Sequence, residues 1–312
     1  MRGWRRIRDL ISHWLRVPRR WLGHPDLRSL NRRADRSRRD VEKLLQRLYP
    51  GVGCEVVSGP GTSHLEAGCY SQNGEDGVLL HILSTAGVDQ RSIVEIGCGA
   101  AVECNSSALL CGFGWSGVLF DRDPQQVKSA RSFFEERGVS NRVELLEVEV
   151  QPDTIDALLA QRSEPDVLSI DVDGYDFWIW KHLTVFRPRV VVIEVNASFG
   201  PSASCSVPWS AGSAHHDAYR HHVRGWHHGA SLVAMEALGR SKGYRLVAVE
   251  STGTNAFFLR EDLAVREFPP LDPGRAWRPH QVRSRRHSPD RQAMQLQSLP
   301  SVLVEQDGTS ES

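Results

Sequence analysis

The 312-residue sequence has no apolar run long enough to span a membrane. Its N-terminal stretch lacks the uninterrupted apolar core of a secretory signal, so a cytoplasmic location is expected. Cysteine is sparse. Cys54, Cys69, Cys98, Cys104, Cys111 and Cys205 are the only six, and none forms C-x-x-C. They read as small core residues of a reduced compartment rather than a disulfide framework. Net charge is absent as well, with 38 Lys and Arg against 38 Asp and Glu. That balance conceals an asymmetry. Residues 1–47 carry fifteen Lys and Arg against five Asp and Glu, so the basic character belongs to an N-terminal arm and the body is acidic.

A dinucleotide fingerprint is also missing. Residues 92–110, SIVEIGCGAAVECNSSALL, read as a strand running into a glycine turn that opens a helix. A dinucleotide site wants G-x-G-x-x-G, and Val102 stands where the third glycine would be. This disfavours a nicotinamide-dependent oxidoreductase. The order E-x-G-x-G instead resembles motif I of class I S-adenosylmethionine (SAM) methyltransferases. That resemblance implies that Glu95, Gly97 and Gly99 line the methionine and ribose end of the donor. Ala100 and Ala101 stand where many members carry an acid and a further glycine. An ordinary strand-to-helix turn has the same local pattern. The next strand, 117–121, ends in Asp121, roughly twenty residues past the turn, where a carboxylate can accept from two ribose hydroxyls. Asp123 is a poorer candidate for this role, and either acid could cap the helix starting near Pro124.

Alternating periodicities predict helix 75–86, strand 93–96, helix 103–111, strand 118–120, helix 125–137, strand 143–148 and helix 154–161. Strand 167–171, helix 175–183, strand 190–195, an irregular segment 196–228, helix 230–242 and strands 244–250 and 256–260 follow. This order implies an α/β, Rossmann-like fold: a mostly parallel twisted sheet with a final antiparallel hairpin and helices on both faces. Four regions result: a basic amphipathic helical arm at 1–50, a linker at 51–68, a catalytic domain at 69–262, and a Pro-, Arg-, Ser- and Gln-rich tail at 263–312 read as disordered. Trp4, Ile7, Leu10, Ile11, Trp14 and Leu15 form an apolar stripe among arginines. Residues 1–23 could therefore lie on an anionic membrane surface, which would make the protein peripheral to it, or pack on the body or a partner. No nucleic-acid module is recognisable.

The second landmark is 166–176, DVLSIDVDGYD. Asp171 and Asp173 end a central strand, at the sheet edge where ligands bind, and Asp176 enters the next helix. Carboxylates this close repel unless one is protonated or a cation intervenes. Here the sequence is similar to the FkbM-type methyltransferase family. SQNGEDG at 71–77, EIGCG at 95–99, GWSGVLFDRDP at 114–124, DVLSIDVDGYD at 166–176 and VVVIEVNAS at 190–198 carry the resemblance. It implies a SAM-dependent O-methyltransferase acting on a hydroxyl of a sugar, glycolipid or secondary metabolite. A non-catalytic interaction or membrane-associated protein retaining the fold is the alternative.

Asp173 is the leading candidate base, with Asp171 structural or cofactor-facing. Glu194 and Asn196, at the end of the neighbouring strand, are candidates for orienting the acceptor. Gln72 belongs to the N-terminal family motif and is a candidate cofactor contact, although Ser71 and its neighbours could simply cap a helix. No residue is assigned as a metal ligand. A Mg²⁺ site at Asp171 and Asp173 suits hard-cation chemistry better than the histidines 215, 216, 221, 222, 227 and 228, which read as exposed lid residues.

Overall fold

The computed structural model of the protein describes residues 42–43, 45–46, 65–263 and 266–305. The expected membrane-facing helix at 1–23 and linker positions 51–64 lie outside these residues. At the end of the arm, Leu45 is buried, Gln46 donates to the Gly112 carbonyl at 2.6 Å, and Glu42 accepts from the Tyr70 hydroxyl at 3.1 Å. This part of the arm therefore packs on the body.

The body is built on a seven-stranded sheet. β1 (Ser92–Ile96), β2 (Ser116–Asp121), β3 (Val143–Glu147), β4 (Val167–Ile170) and β5 (Val190–Glu194) run parallel. The two-residue β6 (Cys205–Ser206) lies outside this sheet. β7 (Tyr244–Val249) and β8 (Asn255–Arg260) form the expected hairpin, and β8 pairs antiparallel with β5. The order is β3-β2-β1-β4-β5-β8-β7. Successive strands proceed outward in one direction from β1 and in the other from β4. The crevice between these two strand ends is where an open α/β sheet binds ligands.

The helices are α1 (Glu75–Ala86), α2 (Ser107–Gly112), α3 (Pro124–Glu136), α4 (Ile155–Leu159), α5 (Asp176–His182), α6 (Ala218–His221) and α7 (Leu232–Ser241). Strand side chains alternate between two cores. Leu168, Ile170, Val191 and Ile193 pack with residues of α4, α5 and α7, whereas Val167, Val190 and Val192 pack with residues of α1, α2 and α3. Burial of each such side chain stabilises by about 1.5–3 kcal/mol. None of the described cysteines forms a disulfide, and burial pushes the Cys111 and Cys205 thiols up to about 11 and about 12.

The expectation of a disordered tail is corrected. Residues 266–305 contain α8 (Pro273–Ala276), α9 (Gln281–Ser284), α10 (Pro289–Gln297) and β9 (Val302–Leu303), which pairs with β6. Asp272, His280 and Ser288 cap the three helices, and Pro273 and Pro289 occupy first turns, where a missing N–H costs nothing. Phe268, Ala276, Leu296 and Val304 anchor the segment in the cores. Each element is too short, with too few anchors, to show an apolar period.

Candidate active site

Gly97 and Cys98 donate their N–H groups to the Phe120 carbonyl at 2.8 and 3.1 Å, tying the glycine turn to the end of β2. Gly97 has φ +89, and a Cβ there would lie 1.7 Å from the Asp171 carbonyl oxygen. Glycine is thus required where the exits of β1 and β4 touch. Gly99 has φ +53, and a Cβ on it would meet nothing within 4 Å. This part of the turn is backbone facing open space.

Asp121 is half-buried beside the turn. One carboxylate oxygen accepts from Gly99 N–H and the other from Asp123 N–H, each at 2.8 Å. Each oxygen retains a lone pair, so a vicinal diol can be accommodated. Asp123 itself caps α3 by accepting from Gln125 N–H.

Glu95 faces the interior. It is buried, and its oxygens accept from the N–H groups of Asn105 and Ser106 at 3.0 Å, ahead of α2. α2 consequently starts at Ser107, later than predicted. Gln72 is exposed in the turn before α1. Neighbouring polar groups are committed to the fold: Asp76 accepts from Cys69, Tyr70 and Ser71 N–H, and Glu75 accepts from the Asn255 side chain.

Beyond Gly97 the exits of β4 and β5 bring four carboxylates together. Asp173 is exposed in a left-handed conformation, φ +55, and Asp171 is half-buried. Asp176 is fully buried and shapes the loop by accepting from Val172 and Gly174 N–H at 2.9 and 3.0 Å. Oxygens of Asp171, Asp176 and Glu194 lie within 4.8 Å of one another, as do ligand atoms of Asp173, Glu194 and His228. Burial, then the charges of Glu194 and Asp173, push the Asp171 carboxyl well above its usual range. Burial, then Asp173 and Asp176, do the same to Glu194. Burial raises Asp176 to about 6 against the pull of its backbone donors.

His227 and His228 are buried, which corrects the expectation of an exposed histidine lid; His215 and His221 are exposed. His228 Nε2 lies 2.8 Å from the Arg283 guanidinium. Arginine only donates, so Nε2 carries the lone pair and Nδ1 the proton. That Nδ1 points to Glu194 Oε2 at 3.5 Å, and neither atom has a hydrogen-bond partner among the described residues. Burial and the adjacent guanidinium hold His228 down at about 4, so it is neutral near pH 7.

Asn196 occupies a different role from the one expected. Its Nδ2 donates to the Trp226 and His228 carbonyls at 2.6 and 2.8 Å, and its Oδ1 accepts from Ser198 N–H and Arg283, each at 3.0 Å. No hydrogen-bonding capacity remains for an acceptor. Asn196 locks the irregular segment instead.

The sequence model of the methyltransferase FkbM domain matches residues 80–246, from within α1 into β7. The chain belongs to the FkbM methyltransferase family. No curated protein sequence matches it. Solved structures with similarity include an O-methyltransferase from Bacillus cereus in complex with S-adenosylhomocysteine (SAH). It is 17% identical, with 70% of this chain and 89% of that chain covered and a TM-score of 0.39. TomG from Streptomyces achromogenes, an O-methyltransferase in complex with SAM, is 22% identical, with 61% and 82% covered and a TM-score of 0.40. In this FkbM protein the matched region holds Glu95, Gly97, Gly99, Asp121, Asp171, Asp173, Glu194, Asn196 and His228. Gln72 and Arg283 lie outside it.

Proposed function

We propose that this protein transfers the methyl group of SAM to a hydroxyl oxygen of a sugar, glycolipid or secondary-metabolite acceptor. The observation that carries the reading is the contact of two half-sites across Gly97. On one side, open backbone at Gly99 meets a carboxylate fit for a ribose diol at Asp121. On the other stands the carboxylate group of β4 and β5.

The residues fit the donor. Gly99 presents no side chain, and Asp121 is held by two backbone donors with acceptor capacity to spare. SAM supplies an electrophilic methyl carbon. The protein's part is to align the acceptor oxygen with it and to exclude water, which can contribute up to about 7–11 kcal/mol in ideal cases. The hydroxyl proton passes to a carboxylate as the oxygen–carbon bond forms and the sulfur–carbon bond breaks. Asp173 is the assigned base because it is the exposed member of the cluster. General-base action is worth about 10²–10⁴-fold. Asp171, whose backbone abuts Gly97, serves the donor side.

The test is incubation of the protein with SAM and candidate glycans or metabolites, read by mass spectrometry for one added methyl group. Asp173→Asn should slow turnover by about 10²-fold or more with SAH affinity retained. Equal turnover in the variant removes Asp173 as the base. Failure of the wild type to bind SAM or SAH favours the non-catalytic alternative.

A further inference from the structure

We propose that Arg283, supplied by the C-terminal segment, is a positioning residue of this site. Its guanidinium is the built-in cation of the carboxylate cluster and fixes the Nδ1–H form of His228 against Glu194. The inference rests on the methyltransferase reading only for the use made of the cluster.

Three observations carry it. First, the cluster is negative and closely packed, and carboxylates at such separations need a proton or a cation among them. Arg283 stands beside the cluster across one imidazole: its guanidinium is 2.8 Å from His228 Nε2, and the Nδ1 of that ring faces Glu194 Oε2 at 3.5 Å. Burial lowers the guanidinium pKa, against the pull of Glu194 and Asp173. Second, the guanidinium donors are aimed at the fold. Nη1 donates to Asn196 Oδ1 at 3.0 Å and Ser198 Oγ at 2.9 Å, and Nη2 donates to His228 Nε2 at 2.8 Å. A fork spent in this way orients other groups rather than gripping a substrate. Third, the segment that brings Arg283 is itself fastened here. Gln292 is buried and accepts from Ser198 Oγ at 2.7 Å, while His280 caps α9, the helix containing Arg283.

The consequence for metals is specific. A divalent ion shared by Asp173, Glu194 and His228 would need the Nδ1 lone pair. Arg283 at Nε2 requires that same nitrogen to carry the proton. The arginine and the ion are therefore alternatives, and the native chain has the arginine.

The experiment uses the full chain and three readouts: ring-nitrogen NMR shifts of the histidines, Mn²⁺ binding by electron paramagnetic resonance, and SAH binding by calorimetry. The wild type should show His228 as the neutral Nδ1–H tautomer and bind no Mn²⁺ through the Asp173, Glu194 and His228 set. Arg283→Gln should lose that tautomer preference and gain Mn²⁺ affinity on the order of tenfold or more, because a unit positive charge has left the cluster. Adding Glu194→Gln should abolish the gain. Arg283→Lys keeps the charge without the fork, so it should still exclude Mn²⁺ while the tautomer preference weakens.

Tight Mn²⁺ binding by the wild type that both Glu194→Gln and His228→Gln remove would overturn the proposal. So would a wild-type His228 protonated on Nε2, and both results are read without any Arg283 variant having to fold. SAH binding should be unchanged in every variant. Its absence from the wild type would overturn the donor assignment and leave the Arg283 result standing.

Discussion

A methyl group placed on Gly97 would lie 1.7 Å from a backbone oxygen, whereas one placed on Gly99 would touch nothing within 4 Å. Both residues have positive φ, so both substitutions carry the left-handed penalty of about 1–2 kcal/mol. Only Gly97→Ala adds overpacking of about 1–3 kcal/mol. Urea denaturation should therefore find Gly97→Ala the more destabilising by roughly that margin; equal losses would mean that the β1 and β4 exits are not in contact.

Residue pattern and spacing singled out Gly97, Gly99, Asp121, Asp171 and Asp173, because glycine and acid at strand ends are local signals, and the fold gathers them at the exits of β1, β2 and β4. They could not reveal that Glu95 is turned inward or that Asn196 is saturated, since that needs the partners' positions. Arg283 carried no signal among the arginines of a polar tail.

Titration also belongs at this scale. His227 is buried and held down at about 4, against an ordinary value of 6.5. The unfolded chain thus binds the proton first as pH falls from 6.5 to 4, so His227 costs the native state stability across that window. Asp76 runs the opposite way. Burial raises it to about 6, so acidification through that range favours the folded form. His227→Gln should be less stable than wild type at pH 7, through loss of the 2.7 Å bond to the Pro300 carbonyl. The gap should narrow as pH falls from 6.5 to 4. Urea midpoints measured across this range check the sign, and a gap that widens contradicts it.

Among elements, the sheet and its helices were readable because strands alternate between two cores and α3 and α7 each keep one apolar face, while α1 is an apolar run buried on all sides. The C-terminal segment was not. α8 and α9 have four residues each, too few for periodicity, and the prolines that open α8 and α10 act as first-turn residues rather than breakers. The physical content of that segment is its anchors. Leu296 in α10 is 2% exposed within the core that also holds α5 and α7. Leu296→Ala should lower unfolding stability by about 2–5 kcal/mol in chemical denaturation. A change below about 0.5 kcal/mol would show that the segment is a surface appendage.

For the whole molecule, the strand order reverses between β1 and β4 and the glycine turn sits at the end of β1, which is where the proposed donor site is assigned. In the proposed reading the donor half is Gly99 and Asp121, and the cluster at β4 and β5 borders it across Gly97. The most direct measurement is calorimetric titration of the full chain with SAH, with NAD as the comparison and Asp121→Ala as the variant. Wild type should bind SAH at one site and ignore NAD. The variant should lose about 1.5–3 kcal/mol of binding free energy, roughly tenfold to a hundredfold in affinity, because a charged hydrogen-bond acceptor is gone. No SAH binding by the wild type, or an affinity indifferent to Asp121, would contradict a methyl-donor site at this turn.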